Sequence, residues 1–387
     1  MKLTRIYLTV LLCGVATAGA QTYSVLYNLG TNAGDPLSPD YIGTITQARD
    51  GNLYSTTQSG GASGGGTVYR LTPSGKMKVI YNFTGSPHGG LTLGTDGSLY
   101  GTTQSDGDGW GTVFKITTGG KLTVVYTFNY YTCNGSSPTA APIQGTDGNF
   151  YGTNSSGSWC GGGIYSGTIY KLTPSGSLTT LHTFDYADGI NPLALIEGTD
   201  GDFYGIASGG GGGGCNTGCG TIFKITPQGT FTLLHAFIGS DGANPYGTLV
   251  QADDGNFYGT TAGGGSGGGG VVYMMSPAGK VTVLYNFSSL FADDPFAGLV
   301  QATDGKFYGG TTGYYGSELF NITSTGPLNP LVNFTNENGT ASGSRPKVAM
   351  FQHTNGVLYG NTSVGGPGTN CSGGEGYCGV LFSLDMV

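Results

Sequence analysis

The chain has 387 residues, of which 77 are glycine and 25 are tyrosine, whereas only 9% are charged. Its formal net charge of −8 argues against nucleic acid and anionic membranes as partners, because both repel an acidic protein. No helical period stands out after the first twenty residues, so the sequence indicates an all-β protein.

Residues 1–20 have the layout of a secretory signal peptide. Lys2 and Arg5 supply the positive start, 6–15 the apolar middle, and the last three residues a small-residue cleavage site. The apolar run is short for a transmembrane helix, although Cys13 within it leaves lipid attachment as an alternative. We therefore expect a secreted protein, extracellular or periplasmic, with no transmembrane segment.

One motif recurs along the rest of the chain. Its clearest copy, residues 254–261, reads Asp-Gly-Asn-Phe-Tyr-Gly-Thr-Thr. The seven copies begin, about fifty residues apart, at Asp50, Asp96, Asp147, Asp200, Asp254, Asp304 and Asn355. A fixed period of this length indicates that one supersecondary unit is repeated.

Each repeat has the signals of four strands. In the fifth repeat, 247–252 is a short apolar strand, and an Asp-Gly turn leads into a return strand at 257–261. A Gly-rich loop, a third strand at 271–276, a Pro-Ala-Gly turn and a fourth strand at 280–287 follow, and the fourth alternates with a period of two. The pattern predicts a seven-bladed β-propeller of four-stranded antiparallel blades. A β-solenoid is the alternative, and two hairpin turns per repeat argue against it.

The two ends of the chain complement each other. Residues 22–29 resemble a fourth strand, whereas 379–384 resemble a third strand that has no successor. We therefore expect Tyr23 to Leu29 to pair with Val380 to Leu384, completing the last blade and closing the ring, which removes exposed sheet edges. The propeller then spans residues 21–387 as one domain.

The connections of such a propeller emerge on two faces. The turns after first and third strands are short and uniform, and we call their side the turn face. We call the other side the variable face, because its loops differ from blade to blade, and such variation is typical of a binding face. Its loops are 58–66, 104–111, 154–167, 208–220, 262–270, 311–317 and 363–379 after second strands, and 30–41, 84–91, 129–141, 185–192, 238–246, 288–297 and 335–346 after fourth strands.

Aromatic and acidic side chains concentrate on the variable face. Its loops hold eleven carboxylates against the cation of Arg345, with Lys347 at the margin, and this balance suits sugars, cations or basic partners. Aromatic rings offer stacking surfaces, and carboxylates accept hydrogen bonds from hydroxyls. The candidate binding residues are Trp110, Trp159, Tyr130, Tyr131, Tyr165, Tyr186, Tyr246, Tyr314, Tyr315, Asp188, Asp241 and Asp293.

Metal binding and catalysis have weaker signals. Asp106 and Asp108 in an Asp-Gly-Asp-Gly run resemble part of a calcium loop, but the distal glutamate is missing, so a polar turn is the alternative. His88 is the one histidine near the variable face, and the sequence shows no partner that would make it an acid or base. His182 and His235 occupy a position that tyrosine holds in other repeats, so we expect them to have a role in blade packing. No catalytic residue is predicted.

Six cysteines follow the signal peptide, all on the variable face. An even number in an exported protein indicates disulfides. Zinc is the alternative, and the absence of paired Cys-x-x-Cys spacings argues against it. The predicted pairs are Cys133–Cys160, which would join neighbouring loops, and Cys215–Cys219 and Cys371–Cys378, which would each close one loop.

Three motifs recur in fixed order, as in 220–229, 237–245 and 254–261. These units resemble the GloVer (Gloeo/Verruco) tandem-repeat family over nearly all the mature chain, with departures at 317–320 and at Asn355. The resemblance implies an exported bacterial repeat protein and implies no catalytic residues. We expect a monomer whose variable face binds polysaccharide or cell-surface glycan. A propeller enzyme, either a polysaccharide lyase or a hydrolase using loop carboxylates, and an extracellular scaffold are the alternatives.

Overall fold

The computed structural model describes residues 21–39, 44–106, 109–129, 131–132, 134–157, 166–288, 294–313, 316–334, 343–368, 370 and 378–386. These residues hold thirty strands and no helix, and the strands form seven antiparallel sheets. The arrangement is a seven-bladed β-propeller, as the repeats predicted.

The strands follow one another blade by blade. β1 is Thr22–Asn28. Blade 1 has β2 (Pro36–Pro39), β3 (Thr46–Gln47), β4 (Leu53–Gly60), β5 (Thr67–Leu71) and β6 (Met77–Asn82), and blade 2 has β7 (Pro87–Leu93), β8 (Leu99–Thr103), β9 (Thr112–Ile116) and β10 (Leu122–Thr127). Blade 3 has β11 (Ser136–Pro138), β12 (Ile143–Gln144), β13 (Phe150–Ser156), β14 (Thr168–Leu172) and β15 (Leu178–Thr183), and blade 4 has β16 (Ile190–Glu197), β17 (Phe203–Gly209), β18 (Thr221–Ile225) and β19 (Phe231–Ala236). Blade 5 has β20 (Val250–Gln251), β21 (Phe257–Thr261), β22 (Gly268–Met275) and β23 (Val281–Ser288), and blade 6 has β24 (Val300–Gln301), β25 (Phe307–Gly310), β26 (Ser317–Ile322) and β27 (Leu328–Phe334). Blade 7 has β28 (Phe351–Gln352), β29 (Leu358–Asn361) and β30 (Val380–Asp385).

The N-terminal strand closes the ring, which confirms the prediction from the chain ends. β1 is the outermost strand of blade 7 and pairs antiparallel with β30, so that Tyr23 faces Leu384 and Asn28 faces Val380. On the turn face, His353 Nε2 of blade 7 lies 2.9 Å from Gly51 O of blade 1. The last blade is therefore completed by the N-terminal strand and is tied to the first blade by this contact on the turn face.

The recurring Asp-Gly motif joins each turn to its blade and to the next blade. The tyrosine hydroxyl donates to the aspartate four residues earlier, for example Tyr204 to Asp200 at 2.7 Å. In blades 2 to 5 its ring then lies against a phenylalanine ring of the following blade, as Tyr204 does against Phe257 at a centroid distance of 4.1 Å. Both halves of the motif are needed for blade packing, which explains why it recurs in every repeat.

Glutamine side chains form a second link between neighbouring blades on the turn face. The amide oxygen at the end of an inner strand accepts from a backbone N–H of the preceding blade's first turn. The pairs are Thr95 with Gln144 (2.7 Å), Thr199 with Gln251 (2.8 Å), Asp253 with Gln301 (3.0 Å), Thr303 with Gln352 (2.9 Å) and Thr354 with Gln47 (3.1 Å), and Glu197 replaces glutamine opposite Thr146 (3.0 Å). Between blades 1 and 2, where Leu93 takes that position, Arg49 Nη2 instead donates to Thr95 O at 2.6 Å. The uniform turns thus link neighbouring blades around the ring and have a structural role.

The fourth strands correct one expectation. The predicted unbroken alternation along 280–287 is wrong, because the pairing register shifts within β23. Val283 faces Tyr273 and Tyr285 faces Val272, so Leu284 between them is an extra residue, and it packs against the core that blades 5 and 6 share. All seven outermost strands show a register shift of this kind. Bulges on edge strands discourage pairing with other chains.

Candidate functional site

A proline stands at the variable-face end of the inner strand in every blade: Pro39, Pro87, Pro138, Pro192, Pro245, Pro295 and Pro346. In five blades the residue before it has left-handed backbone, with φ between 47° and 57°: Ser38, Ser137, Asn191, Asn244 and Arg345. This conformation is uncommon outside glycine, and such residues cluster at functional sites. This position is not among the residues predicted from the sequence, although the repeated Xaa-Pro pair was the available signal.

Behind these prolines, the inner strands of neighbouring blades approach closely. A Cβ added at Gly247 would lie 2.7 Å from the Cα of Gly298, so only glycine fits between blades 5 and 6. Threonines of the second strands bond across the same junctions, as Thr260 Oγ1 does to Ala297 O at 3.0 Å. The inner strands of neighbouring blades are therefore closely packed and hydrogen-bonded at this junction.

Tyr246 and Phe296 form an aromatic pair in the segments that lead into the inner strands of blades 5 and 6. Their ring centroids lie 5.0 Å apart, and both side chains are half-buried. Nearby in the chain, burial raises the pKa of the Asp294 carboxyl above its usual range, although a backbone hydrogen bond opposes the shift. Tyr246 is one of the predicted binding residues, whereas Phe296 and Asp294 are not among them.

His88 lies at the inner end of blade 2, and both of its ring nitrogens have contacts inside the ring. Nε2 is 2.6 Å from Gln58 Nε2 of blade 1, and Nδ1 is 3.3 Å from Thr139 O of blade 3. These partners fit a neutral imidazole that donates from Nδ1 and accepts at Nε2. His88 thus connects three blades at the centre of the ring.

Three exposed side chains lie in equivalent loops of consecutive blades on the variable face, and we call them the exposed strip: Tyr131, Tyr186 and Ile238. Their exposed fractions are 73%, 51% and 61%, the highest among the large apolar side chains of the described residues. They lie in the loops that follow the fourth strands of blades 2, 3 and 4. Consecutive blades therefore present one large apolar group each.

Two predicted carboxylates shape the loops of the exposed strip. Asp188 Oδ2 lies 2.8 Å from His182 Nε2, and its Oδ1 accepts from the backbone N–H of Asp185 at 2.9 Å. Asp241 repeats the arrangement in the next blade, 2.9 Å from His235 Nε2. Both aspartates thereby fix the backbone beside Tyr186 and Ile238.

The histidines of these pairs also have the packing role predicted for them. The ring of His182 stacks on Phe231 of the next blade, with centroids 3.8 Å apart and planes 7° apart. His235 meets Phe237 edge-on at 4.9 Å. Each histidine therefore packs within the propeller wall while its Nε2 holds a loop carboxylate.

The remaining predicted aromatic and metal-binding residues have different surroundings. Trp110 is half-buried and packs against the core between blades 2 and 3, and its carbonyl accepts from Ser137 N at 3.0 Å. Asp106 is half-buried beside Gly85. Trp159, Tyr130, Tyr165, Tyr314, Tyr315, Asp108 and Asp293 lie outside the described residues. Within the described ranges, no three His, Cys, Asp or Glu side chains form a cluster that could hold a metal ion.

The disulfide prediction is confirmed for Cys215–Cys219. Cys378 is also disulfide-bonded, whereas Cys133, Cys160 and Cys371 lie outside the described residues. The confirmed bond closes a short loop after the second strand of blade 4, which is the blade that also carries Ile238.

Ion pairs gather on the turn face. Lys171 Nζ lies 2.8 Å from Asp147 Oδ2, and Lys224 Nζ lies 2.7 Å from Asp202 Oδ2. These lysine side chains thus offset the negative charge of the carboxylates in the turns. The acidic residues of the variable loops have Arg345 and Lys347 as the cations of their own face.

The sequence pattern of the Gloeobacter/Verrucomicrobia repeat family matches residues 15–166 and 160–373. The chain matches no curated protein. Among solved structures it is similar to a prolyl endopeptidase, at 15% identity and a TM-score of 0.50, over 84% of this chain and 46% of that one. It is also similar to a gluconolactonase from Xanthomonas campestris (11% identity, TM-score 0.48, 95% and 100% covered) and to a chain of a nidogen/laminin complex (15%, 0.48, 73% and 92%). Likeness at such identities shows the fold alone.

In the part of the chain that the structure describes, no helix is long and apolar enough to cross a membrane.

Proposed function

The chain belongs to the Gloeobacter/Verrucomicrobia repeat family, and we propose that it is a non-catalytic binding module for a polysaccharide or cell-surface glycan. The observation that carries this proposal is the exposed strip of Tyr131, Tyr186 and Ile238. Single exposed apolar residues are common on protein surfaces. A set of them on consecutive blades, on the face whose loops vary, is instead the kind of surface that stacks against successive rings of a chain-like ligand.

Rigid presentation of the strip supports binding. Asp188 and Asp241 hold the loops of Tyr186 and Ile238 through hydrogen bonds to histidine and backbone N–H groups. The Cys215–Cys219 bond restrains a further loop of the same blade as Ile238. Loops that are already ordered lose less conformational entropy when a ligand binds, so more of the contact energy remains as affinity.

Charge narrows the class of ligand. Eleven carboxylates stand in the variable loops, with Arg345 as their one firm cation and Lys347 at the margin. Such a face repels polyanions and accepts hydrogen bonds from hydroxyl or amino groups. The proposed ligand is therefore a neutral or amine-bearing glycan, and a polymer of uronic acids is disfavoured.

The contacts of His88 at the centre of the ring fit a binding protein better than an enzyme. His88, the histidine considered as an acid or base, directs Nε2 to Gln58 and Nδ1 to a backbone oxygen. A catalytic histidine needs a ring nitrogen within reach of the substrate proton. An extracellular scaffold is the alternative function, and a finding that the protein binds no ligand would favour it.

We further propose that the protein is exported, with residues 1–20 as its signal peptide, and that it acts as a monomer outside the cytoplasm. The Cys215–Cys219 disulfide supports this, because disulfides persist mainly in oxidising compartments. The closed ring supports the monomer, because its outer edge strands are bulged.

A glycan array tests the proposed function. The mature chain should bind neutral or amine-bearing polysaccharides and leave uronic-acid polymers and sulfated glycans unbound. Binding confined to anionic glycans would overturn the assigned ligand class. Binding to no glycan at all, by a chain that melts cooperatively, would favour the scaffold instead.

A further inference from the structure

A cleft opens on the variable face beside the junction that closes the ring. It has a volume of about 220 Å³ and lies between the loop that leads from β1 into blade 1 and the end of β4. Its lining residues are Asn32, Gly34, Asp35, Leu37, Ser59, Gly60, Gly61, Gly64 and Asn370. The two chain ends thus meet near one polar cavity that none of the predicted site residues line.

The base of the cleft is a buried carboxylate. Asp35 is only 8% exposed, and its Oδ2 accepts from Tyr27 Oη at 2.9 Å and from Asn32 N at 2.8 Å. Burying a carboxylate is costly unless hydrogen bonds satisfy it. These two bonds hold Oδ2 in place, while Oδ1 has no hydrogen-bond partner among the described residues.

Oxygen acceptors dominate the polar lining. Asn32 Nδ2 donates to Tyr27 Oη at 3.2 Å, and Asn370 Nδ2 donates to Gly30 O at 3.1 Å. Asn370 Nδ2 also donates to Thr31 O at 3.3 Å, so both of its N–H groups and one of the two on Asn32 are engaged, and the two amide oxygens and the Asp35 carboxylate are the main groups left for a ligand. A ligand that fits must bring hydrogen-bond donors.

The walls leave room for a ring. Leu37 supplies an apolar side, and four glycines contribute no side chains. A Cβ added at Gly64 would meet no atom within 4 Å, so the space beside it is open. At Gly60, by contrast, a Cβ would lie 2.6 Å from Leu37 N, so the backbone there approaches too closely for any other residue.

The volume suits a single small ring. A cavity of about 220 Å³ corresponds to about seven water molecules at ~30 Å³ each, and it is smaller than the ~300–1,000 Å³ pockets that enclose drug-sized ligands. Calcium takes about 6–8 oxygen ligands at close range, and one carboxylate in so large a cleft does not supply them. A ring that carries several hydroxyl donors and has one apolar face matches the cleft, because the hydroxyls can donate to the oxygens and the apolar face can pack on Leu37.

We propose that this cleft is a subsite for one neutral sugar ring. The inference rests on the proposed function, because it names a second place on the variable face where the same class of ligand binds. Hydroxyl groups of the sugar donate to the oxygens of Asp35, Asn32 and Asn370, and its carbon face lies on Leu37.

The test is calorimetric titration of the mature chain with methyl glucoside, methyl galactoside, methyl mannoside and N-acetylglucosamine, with calcium chloride run in parallel. Ser59→Phe fills the cleft, and the Ser59 side chain makes no hydrogen bond to any described residue. Ser266→Phe adds the same bulk to the corresponding loop of blade 5 and is the matched control. We expect at least one sugar to bind, Ser59→Phe to weaken it about tenfold or more, and Ser266→Phe to leave it unchanged.

Asp35→Asn provides a second variant in case Ser59→Phe fails to fold. The amide keeps an oxygen for Tyr27 and Asn32 and places N–H groups where an acceptor stood, so sugar affinity should fall severalfold. Binding of calcium instead of sugar, binding of none of the four sugars, or equal affinity in Ser59→Phe would each overturn the subsite. If none of the sugars binds but the protein still binds a polysaccharide on the glycan array, the subsite is wrong and the proposed function stands. If neither binds, both fail.

Discussion

The ring of Tyr151 in blade 3 stacks on the ring of Phe203 in blade 4, with centroids 3.9 Å apart. The hydroxyl of the same tyrosine donates to Asp147 of its own turn at 2.8 Å. One side chain therefore joins a turn to an interface between blades. The same stack joins blades 2 and 3, blades 4 and 5, and blades 5 and 6, whereas leucine takes the phenylalanine position at the other three junctions.

Tyr151→Phe should destabilise the protein. The substitution keeps the stacking surface and removes the hydrogen bond to a charged partner, so the free energy of unfolding should fall by about 1–3 kcal/mol. Chemical denaturation with an unchanged m-value would measure it. A loss below a few tenths of a kcal/mol would mean that the hydroxyl does not contribute to the joint.

The same substitution at Tyr170 should have the opposite sign. The Tyr170 hydroxyl is buried and has no hydrogen-bond partner among the residues that the structure describes, and the corresponding residues of blades 2 and 4 are Phe114 and Phe223. Removing an unsatisfied buried hydroxyl should leave stability unchanged or raise it by about 1 kcal/mol. Denaturation beside Tyr151→Phe gives a matched pair, and a clear loss at Tyr170 would reveal a partner such as buried water.

Acid should weaken the turns. Burial alone would raise the pKa of the Asp147 carboxyl, but hydrogen bonds from Lys171, Asn149 and Tyr151 outweigh it and hold the pKa well below its usual range. The pKa values of Asp50, Asp96, Asp200, Asp254 and Asp304 are also lowered. A carboxyl whose folded pKa is depressed stabilises the fold above its unfolded pKa of about 4, and that stability is lost as pH falls through the folded value.

Thermal melting from pH 7 to pH 2 would therefore show a falling melting temperature that starts near pH 4–5 and continues downward. Asp147→Asn should flatten part of this fall, because its carboxyl no longer titrates. A melting temperature that stays constant down to pH 2 would contradict the role assigned to the turn carboxylates.

The repeats predicted the propeller and its closure because turn residues and strand patterns, which can be recognised within short stretches of sequence, mark both. Asp-Gly and Pro-x-Gly turns divide every repeat in the same way, and the unpaired third strand at Val380 needed the strand at Tyr23. The bulge at Leu284 could not be predicted in this way, because an extra residue leaves the composition of the strand unchanged. Its position depends on how the blades pack.

The candidate site was less predictable. The exposure of Tyr131 and Tyr186 follows from their loop positions, which the repeat revealed. The pairing of Asp188 with His182 depends on how a loop folds back over its own strand. The cleft at Asp35 depends on residues such as Asn370 that are more than three hundred positions away in sequence, so local patterns contain no signal for it.

Removal of the Cys215–Cys219 bond should cost about 2 kcal/mol of folding free energy, as expected for a disulfide that closes a short loop. The double variant Cys215→Ser with Cys219→Ser avoids reduction of other disulfides. Its melting temperature should fall while cooperative unfolding persists. An unchanged melting temperature would mean that the hydrogen bonds of the glycine-rich loop, such as Gly210 N to Thr217 O at 2.9 Å, hold it without the bond.

The most direct measurement is the affinity of the mature chain for a polysaccharide identified on the array, compared between two double variants. Tyr131→Ala with Tyr186→Ala removes the aromatic groups of the exposed strip, whereas Val124→Ala with Leu233→Ala removes exposed apolar groups from the outer strands, at 50% and 41% exposure. The account predicts that the first variant binds at least about tenfold more weakly, a loss of about 1.4 kcal/mol, and that the second binds like the parent. Equal affinity of all three proteins would contradict a binding site on the variable face.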